Sequence, residues 1–308
     1  MIENINWYPG HMKKTRELIQ DNLKLTDAVI EVVDARIPVS SRNPIIDQLV
    51  GQKTRIVCLN KFDLADEEAT EQWIRKEQEE GHYALGINAM SGQGAGPLYK
   101  LLNRIEDEKN ANRTRKRSLR LMVVGVPNVG KSSLINRMVG HRSAKTGDKP
   151  GVTRGKQWLA LENGMLLLDT PGILWPKFED PKTGLNLAFC GSINDEILPR
   201  EDLALELLRV LLAEYPDLLA NRYKLDPEAD YFAIARGEKT ADPFDFADPE
   251  EAALAENPAL ACFYDIGRKR GFLLSGNRID LTRTARTLLD EFRGGQIGRI
   301  TLETCENR

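Results

Sequence analysis

Few aromatic residues, three histidines and four scattered cysteines bound what this 308-residue chain can do. Aromatic side chains make up 6% of it and no ribonucleoprotein-type aromatic motif occurs, so reading of bases by stacking on a sheet is not expected. Cys58, Cys190, Cys262 and Cys305 lie far apart and none forms Cys-x-x-Cys. With so few histidines and no metal-ligand spacing, a zinc site is not expected, and free thiols fit a reducing compartment. No run of eighteen apolar residues exists, which argues against a membrane span. The N-terminal stretch has no apolar secretory core, carries Glu3 and Glu17, and lacks an Arg- and Ser-rich transit pattern. A cytoplasmic protein is therefore expected. The hydrophobic share of 41% and charged share of 29% describe a soluble globular chain, long enough for two domains.

What is present begins with Gly125-Val126-Pro127-Asn128-Val129-Gly130-Lys131-Ser132, which fits Gly, four residues, Gly-Lys-Ser/Thr. The apolar run 119–124 ahead of it reads as a buried strand, and Ser133 onward reads as the opening of a helix. A strand, a glycine-rich turn and a helix start aim backbone N–H groups and a helix dipole at phosphate. Lys131 is expected to reach the β- and γ-phosphates of a nucleotide, and the Ser132 hydroxyl to bind Mg²⁺.

A second strand, 54–59, ends in Asn60-Lys61-Phe62-Asp63. Ligands of open parallel sheets bind at such carboxyl ends. A carboxylate at Asp63 can accept from guanine N1–H and the exocyclic amine, a donor pair that adenine lacks. The alternative is that Asp63 caps a helix starting near Asp66. The shorter strand 83–87 leads into Asn88-Ala89-Met90-Ser91, a weak match to the Ser-Ala-Lys loop that packs behind guanine in GTPases. Strand 165–168 ends in Asp169-Thr170-Pro171-Gly172, where Asp169 would serve the Mg²⁺ shell indirectly and the Gly172 N–H the γ-phosphate. Between these anchors, Thr153 of Pro150-Gly151-Val152-Thr153 would close over Mg²⁺ and γ-phosphate; otherwise it is a solvated loop threonine.

The order of these motifs is unusual, because the guanine motif precedes the phosphate loop. Together with Trp7-Tyr8-Pro9-Gly10-His11-Met12, Asp34-Ala35-Arg36-Ile37-Pro38 and the Asn128-to-Ser133 loop variant, they resemble the circularly permuted GTPases, and most closely the ribosome biogenesis GTPase A family. The resemblance covers nearly the whole chain. It implies an α/β fold: a permuted P-loop GTPase domain with a mostly parallel sheet, then a smaller all-α domain. It also implies GTP and GDP as ligands, and a role in late assembly of the large ribosomal subunit through binding of the precursor particle. The nucleotide residues it implies are Asn60, Lys61, Phe62, Asp63, Asn88, Ala89, Asn128, Val129, Gly130, Lys131, Ser132, Ser133 and Gly172. Asn88 and Met90 replace the usual Ser and Lys of the guanine loop.

Ras-like GTPases carry a water-orienting glutamine after Asp-x-x-Gly; this chain has Ile173. Hydrolysis is expected to be slow alone and stimulated by the ribosomal particle. In related GTPases an asparagine at the place of Asn128 helps to hold K⁺ beside the phosphates. His11 is a second candidate for the missing polar group, or an ordinary surface histidine. The catalytic set is thus Lys131 and Thr153 with Asn128 and His11.

The net charge of −3 hides an asymmetry. Residues 201–260 contain fifteen Asp and Glu against five Lys and Arg, a balance of −10, so the remainder carries +7. Basic residues gather at Arg113, Arg115, Lys116, Arg117 and Arg120, at Arg268, Lys269 and Arg270, and along Arg278, Arg283, Arg286, Arg293 and Arg299. Such clusters suit RNA phosphates, or are solvated helix faces. Helical periodicity dominates after Gly172, with apolar faces over 203–212, 227–236, 258–270 and 281–292. The expected domains are 1–178 and 179–308, joined as a monomer, with a polar joint at 109–118. Permutation would tie the γ-phosphate sensor directly to the helical domain and make it a hinge switch. The other readings are a GTPase that controls a protein partner without RNA, and a nucleotide-binding scaffold with little turnover.

Overall fold

Strand β1 (Ala28–Asp34), rich in valine and isoleucine, is buried along its whole length, as a strand covered on both faces must be. It lies at the centre of a six-stranded sheet of order β3-β2-β1-β4-β6-β5. Here β2 is Thr54–Asn60, β3 Tyr83–Ile87, β4 Arg120–Val124, β5 Trp158–Ala160 and β6 Leu166–Asp169. All pairings are parallel except that of β5 on β6. The computed structural model describes residues 12–140, 158–161, 163–170, 178, 180–194, 199–240 and 256–305. His11, Thr153, Gly172 and Ile173 lie outside the described residues, as do the side chain of Asp169 and the segment 242–249.

Helices between the strands are α1 (Met12–Leu23), α2 (Pro44–Val50), α3 (Glu67–Glu79), α4 (Ala95–Asn110) and α5 (Lys131–Val139). Helix α1 precedes β1 and turns Ile19 and Leu23 into the core. A charge in the middle of β1, Glu31, is kept by pairing with Arg42 and Arg55 at 3.2 and 3.4 Å. Unpaired, it would be expelled from such a site.

The chain divides into two compact units. The sheet unit holds Asn4–Leu187 and takes back 301–308; the helical unit holds Ala188–Ile300 with residues 1–3. This division falls within α6 (Pro181–Phe189), after the boundary near 178 expected from sequence. The helical unit is built on α7 (Arg200–Glu214), whose Leu203, Leu207, Leu208, Leu211 and Leu212 are all buried. Around it stand α8 (Pro216–Tyr223), α9 (Asp230–Ala235), α10 (Pro258–Lys269) and α11 (Leu281–Arg293). Arg222 and Arg270 both reach Glu291 at 2.8 Å and hold its carboxyl below the ordinary range against the upward push of burial. No described helix is long and apolar enough to cross a membrane.

Candidate nucleotide site

Parallel strands align their carboxyl ends, so Asp34, Asn60, Ile87, Val124 and Asp169 come to one edge of the sheet. The chain runs outward from β1 to β2 and β3 on one side, and from β4 to β6 on the other. That is the topological switch point where open α/β sheets bind ligands. The phosphate loop follows β4, the guanine motif follows β2, and the Asn88-Ala89 loop follows β3. Motifs far apart in sequence therefore meet.

The phosphate loop passes into α5 at Gly130, whose φ of 96° favours glycine. A Cβ there would lie 2.2 Å from Asn60 Nδ2. Gly125 is equally constrained, since its Cβ would meet Val32 O at 2.4 Å. No side chain caps the N-terminus of α5. Its first N–H groups and its dipole therefore suit an anion, and the residues present fit a nucleotide phosphate. Lys131 Nζ donates to Val126 O at 2.6 Å, which draws the ammonium back over the loop. Ser132 and Ser133, half-buried, occupy the first turn.

Asn60 is the brace of the site. Its Nδ2 donates to Val129 O of the phosphate loop at 2.7 Å, and its Oδ1 accepts from Ala89 N at 3.0 Å. One buried side chain thus joins three loops. Lys61 bridges the same gap: its Nζ donates to Asn128 O at 2.9 Å and to Asp34 Oδ2 at 2.8 Å. Lys61 and Asn128 are both left-handed, with φ of 58° and 60°, a cost of order 1 kcal/mol for a residue with a side chain. Two costly conformations meeting in one hydrogen bond mark a built site.

Phe62 turns inward, onto Gly86 and the core cluster containing Leu59 and Trp73, and sets the path of the motif from beneath. Asp63 is exposed. Helix α3 is capped by Asp66, whose Oδ1 accepts from Ala69 N at 2.8 Å, so capping does not account for Asp63. Asn88 folds its own turn, accepting from Met90 N and Ser91 N at 2.9 Å each. Arg137 of α5 donates to the carbonyls of Ala89 and Met90 and ties this loop to the phosphate-loop helix. Arg137 and Asp34 carry no role in the sequence reading. Asp34 was visible there only as part of Asp34-Ala35-Arg36-Ile37-Pro38.

Burial pushes the Asp34 carboxyl up, but Arg36 and Lys61 outweigh it and hold the group well below the carboxylate range. Burial raises the Cys58 thiol to about 12, which removes it as a nucleophile. The described residues include one Glu-Glu-His group, Glu77, Glu80 and His82. It sits at the start of β3, on the edge of the sheet opposite the phosphate loop, and Glu77 already pairs with Arg42.

The basic clusters separate into two kinds. Arg117 pairs with Asp27, Arg270 with Glu291, and Arg293 donates to the α6 carbonyls of Phe189 and Ala188 at 2.9 and 2.8 Å. Those charges are structural. Arg113, Arg115 and Lys116 are exposed on the joint, and Arg268, Lys269, Arg278, Arg283 and Arg286 are exposed on the helical unit.

A family model described as a 50S ribosome-binding GTPase matches residues 120–220. The match starts at the strand before the phosphate loop and leaves the guanine motif upstream, as a permuted order requires. Ribosome biogenesis GTPase A of Bacillus cereus is 44% identical over 98% of this chain and 94% of its own length. The protein of the same name from Thermotoga maritima is 32% identical over 98% of this chain and 95% of its own length. Among solved structures, GDP-bound YlqF covers 94% of this chain and 100% of its own at 27% identity, with a TM-score of 0.61. GNP-bound YlqF from T. maritima scores 0.60. The chain belongs to the ribosome biogenesis GTPase A family of circularly permuted P-loop GTPases, and its reaction is the hydrolysis of GTP.

Proposed function

We propose that this GTPase is a switch in late assembly of the large ribosomal subunit, binding the precursor particle in its GTP state and leaving after hydrolysis. The observation that supports this best is the match to ribosome biogenesis GTPase A proteins over 98% of the chain, helical unit included. The exposed arginines of that unit suit rRNA phosphates. The cytoplasm is the compartment where such particles assemble in a bacterium.

In the site, Asp63 accepts from the guanine edge and thereby selects the base. Asn60 and Lys61 hold the guanine and phosphate loops at fixed spacing. Lys131 and the N–H groups of residues 129–133 take the β- and γ-phosphates. Ser132 and Thr153, with Asp169 acting indirectly, would hold Mg²⁺, which would supply positive charge to the phosphates. Asn128 would help to hold K⁺, which would supply further positive charge beside the phosphates. Water attacks the γ-phosphorus and the bond to the bridging oxygen breaks, giving GDP and phosphate. Ile173 cannot orient that water, so His11 or a group of the particle must do so, and turnover is slow without the particle.

Cosedimentation with large-subunit precursors under a GTP analogue or GDP, with turnover measured in parallel, tests the reading. Association restricted to the GTP form and faster turnover with particles are expected. Equal association with both nucleotides would refute the cycle; association with a protein partner in place of particles would refute the RNA role.

A further inference from the structure

The tail of the chain, residues 301–305, carries no nucleotide motif, yet it is tightly built into the sheet unit. Glu303 accepts from Val39 N at 2.6 Å, from Ser40 N at 3.0 and 3.1 Å, from the Ser40 hydroxyl, and from Asn186 Nδ2 at 3.0 Å. Its backbone carbonyl accepts from Trp73 Nε1 at 2.8 Å. Thr301 Oγ1 accepts from Asp66 N, and Leu302 N donates to Arg36 O at 2.8 Å. Thr301 and Leu302 are buried, and Cys305 packs on the Trp73 cluster. So many bonds on one carboxylate indicate a clasp, not a frayed terminus.

What the clasp holds is the loop after β1. Within that loop Arg36, 1% exposed, grips Asp34 through Nε and Nη2, both at 2.9 Å. Asp34 N donates to Ser41 Oγ and closes the loop. The second partner of Asp34 is Lys61, which spans to Asn128 O of the phosphate loop. The tail thus holds the loop through Glu303 at Val39 and Ser40 and through a backbone bond to Arg36 O, and charge-assisted bonds run on from Arg36 through Asp34 to the lysine that joins the guanine motif to the phosphate loop.

We propose that Asp34 is a positioning residue for nucleotide binding, acting through Lys61, and that Glu303 keeps it in place by clasping the loop that carries it. The reasoning is geometric. An ammonium on a flexible four-carbon stem has no preferred direction of its own. Asp34 is almost wholly buried and cannot move, because Arg36 and the Ser41 closure fix it. Lys61, one quarter exposed, is therefore held across the phosphate loop by a rigid anion on one side and Asn128 O on the other. Without the anion it would leave for solvent, and the Asn128 carbonyl would lose this bond across the gap.

The proposal rests on residues 60–63 being the guanine motif, so Asp63→Asn is the control: a gain of xanthosine diphosphate binding validates that motif independently. GDP affinity is measured on the full chain by displacement of a fluorescent GDP analogue, with thermal unfolding followed in parallel. Asp34→Asn is expected to weaken GDP binding tenfold or more, and Lys61→Met similarly. The double variant should be no weaker than the weaker single, since one path is cut twice. Glu303→Gln leaves both cations paired and should weaken GDP three- to tenfold in the wild-type background and not at all with Lys61→Met. Asp34→Glu should restore part of the loss. If losses multiply in the double variants, or GDP affinity stays within twofold of wild type in Glu303→Gln, the proposal is overturned. The Glu303→Gln arm decides alone if Asp34→Asn does not fold. Failure of the Asp63→Asn control would instead remove the guanine-motif reading beneath it.

Discussion

Asn60→Ala isolates the brace at the centre of the site. Truncation deletes one donor to Val129 O and one acceptor for Ala89 N. Both stranded groups belong to buried residues, Val129 at 0% and Ala89 at 4% exposure. Leaving a buried polar group unmet costs about 1–3 kcal/mol, so two cost about 2–5 kcal/mol after some relaxation. Against a domain stability of about 5–15 kcal/mol the variant still folds. Urea unfolding without nucleotide should show the midpoint falling at constant slope. Asn60→Asp sharpens the test. It keeps the acceptor for Ala89 N but sets a carboxylate against Val129 O, so the folded state favours the protonated acid. The folded pKa of the introduced Asp is then raised. Its stabilising, protonated form persists at low pH and is lost as pH rises through the folded pKa. Asn60→Asp should thus approach wild type only below about pH 4, the unfolded Asp range, and fall away as pH rises above it until the folded pKa is passed, while Asn60→Ala differs from wild type by a constant amount. A loss below about 1 kcal/mol for Asn60→Ala, or a pH-independent Asn60→Asp, would show that water replaces the side chain and that the loops do not depend on it.

Four further outcomes follow from the site. Asp63→Asn presents a donor where guanine needs an acceptor, and should cost about 2–4 kcal/mol of GTP affinity while improving xanthosine triphosphate binding; competition binding with both nucleotides reads it. Lys131→Ala and Ser132→Ala should abolish productive Mg²⁺–GTP binding with an unchanged circular dichroism spectrum, and wild-type turnover in either would place the active site elsewhere. Exchange of K⁺ for Na⁺ at constant ionic strength should slow turnover, and Asn128→Ala should remove the difference; equal rates in both salts leave Asn128 a loop residue. Neutralising Arg278, Arg283 and Arg286 together should weaken particle binding and flatten its salt dependence, because fewer counterions are released, with GTP affinity near wild type. An unaltered salt slope would move the RNA contact to the joint at 113–116.

The elements that carry chemistry were legible because each couples a local pattern to a local need. The strand 83–87 is found where its apolar run ends, and the phosphate loop is found between a strand and a helix. What stayed hidden depends on register. Asp34 faces Lys61 only because β1 pairs with β2 so that Asp34 lies beside Asn60, and no local pattern encodes that pairing. Short elements escaped for the same reason. Helix α8 has eight residues and begins at Pro216 right after α7, and β5 has three residues at the sheet edge. Tail residues 301–305 have no periodicity at all, and their order comes from Glu303 and its distant partners. Charge was misleading in a specific way. Arg117, Arg270 and Arg293 look like RNA contacts in sequence, yet each is engaged within its own unit.

Permutation acquires a physical meaning from where the chain crosses between units. It leaves the sheet unit after Leu187 and re-enters at Thr301, so the helical unit is covalently tethered at both ends. The outgoing tether follows β6, whose Asp169-Thr170-Pro171-Gly172 is the expected γ-phosphate sensor. Thr170 there is fixed to β4 by a 2.5 Å bond from its hydroxyl to Val123 O. The returning tether runs into Glu303 and the loop of Asp34, which reaches Lys61 and the guanine motif. In the conventional order of motifs, the sensor strand continues into the same sheet and no second domain hangs from it. Here the expected γ-phosphate sensor has a covalent line to the helical unit, and the expected guanine motif is linked to the returning tether through the hydrogen bonds of Glu303 and the Asp34–Lys61 ion pair. A switch so wired would respond to which nucleotide is bound through the outgoing line and to whether any is bound through the returning one. Cutting the returning line with Glu303→Gln should therefore weaken GDP and GTP equally and preserve their ratio, whereas a change at the sensor must alter the ratio. Nucleotide binding of Glu303→Gln with a shifted GTP-to-GDP preference would show that the two lines are not separate.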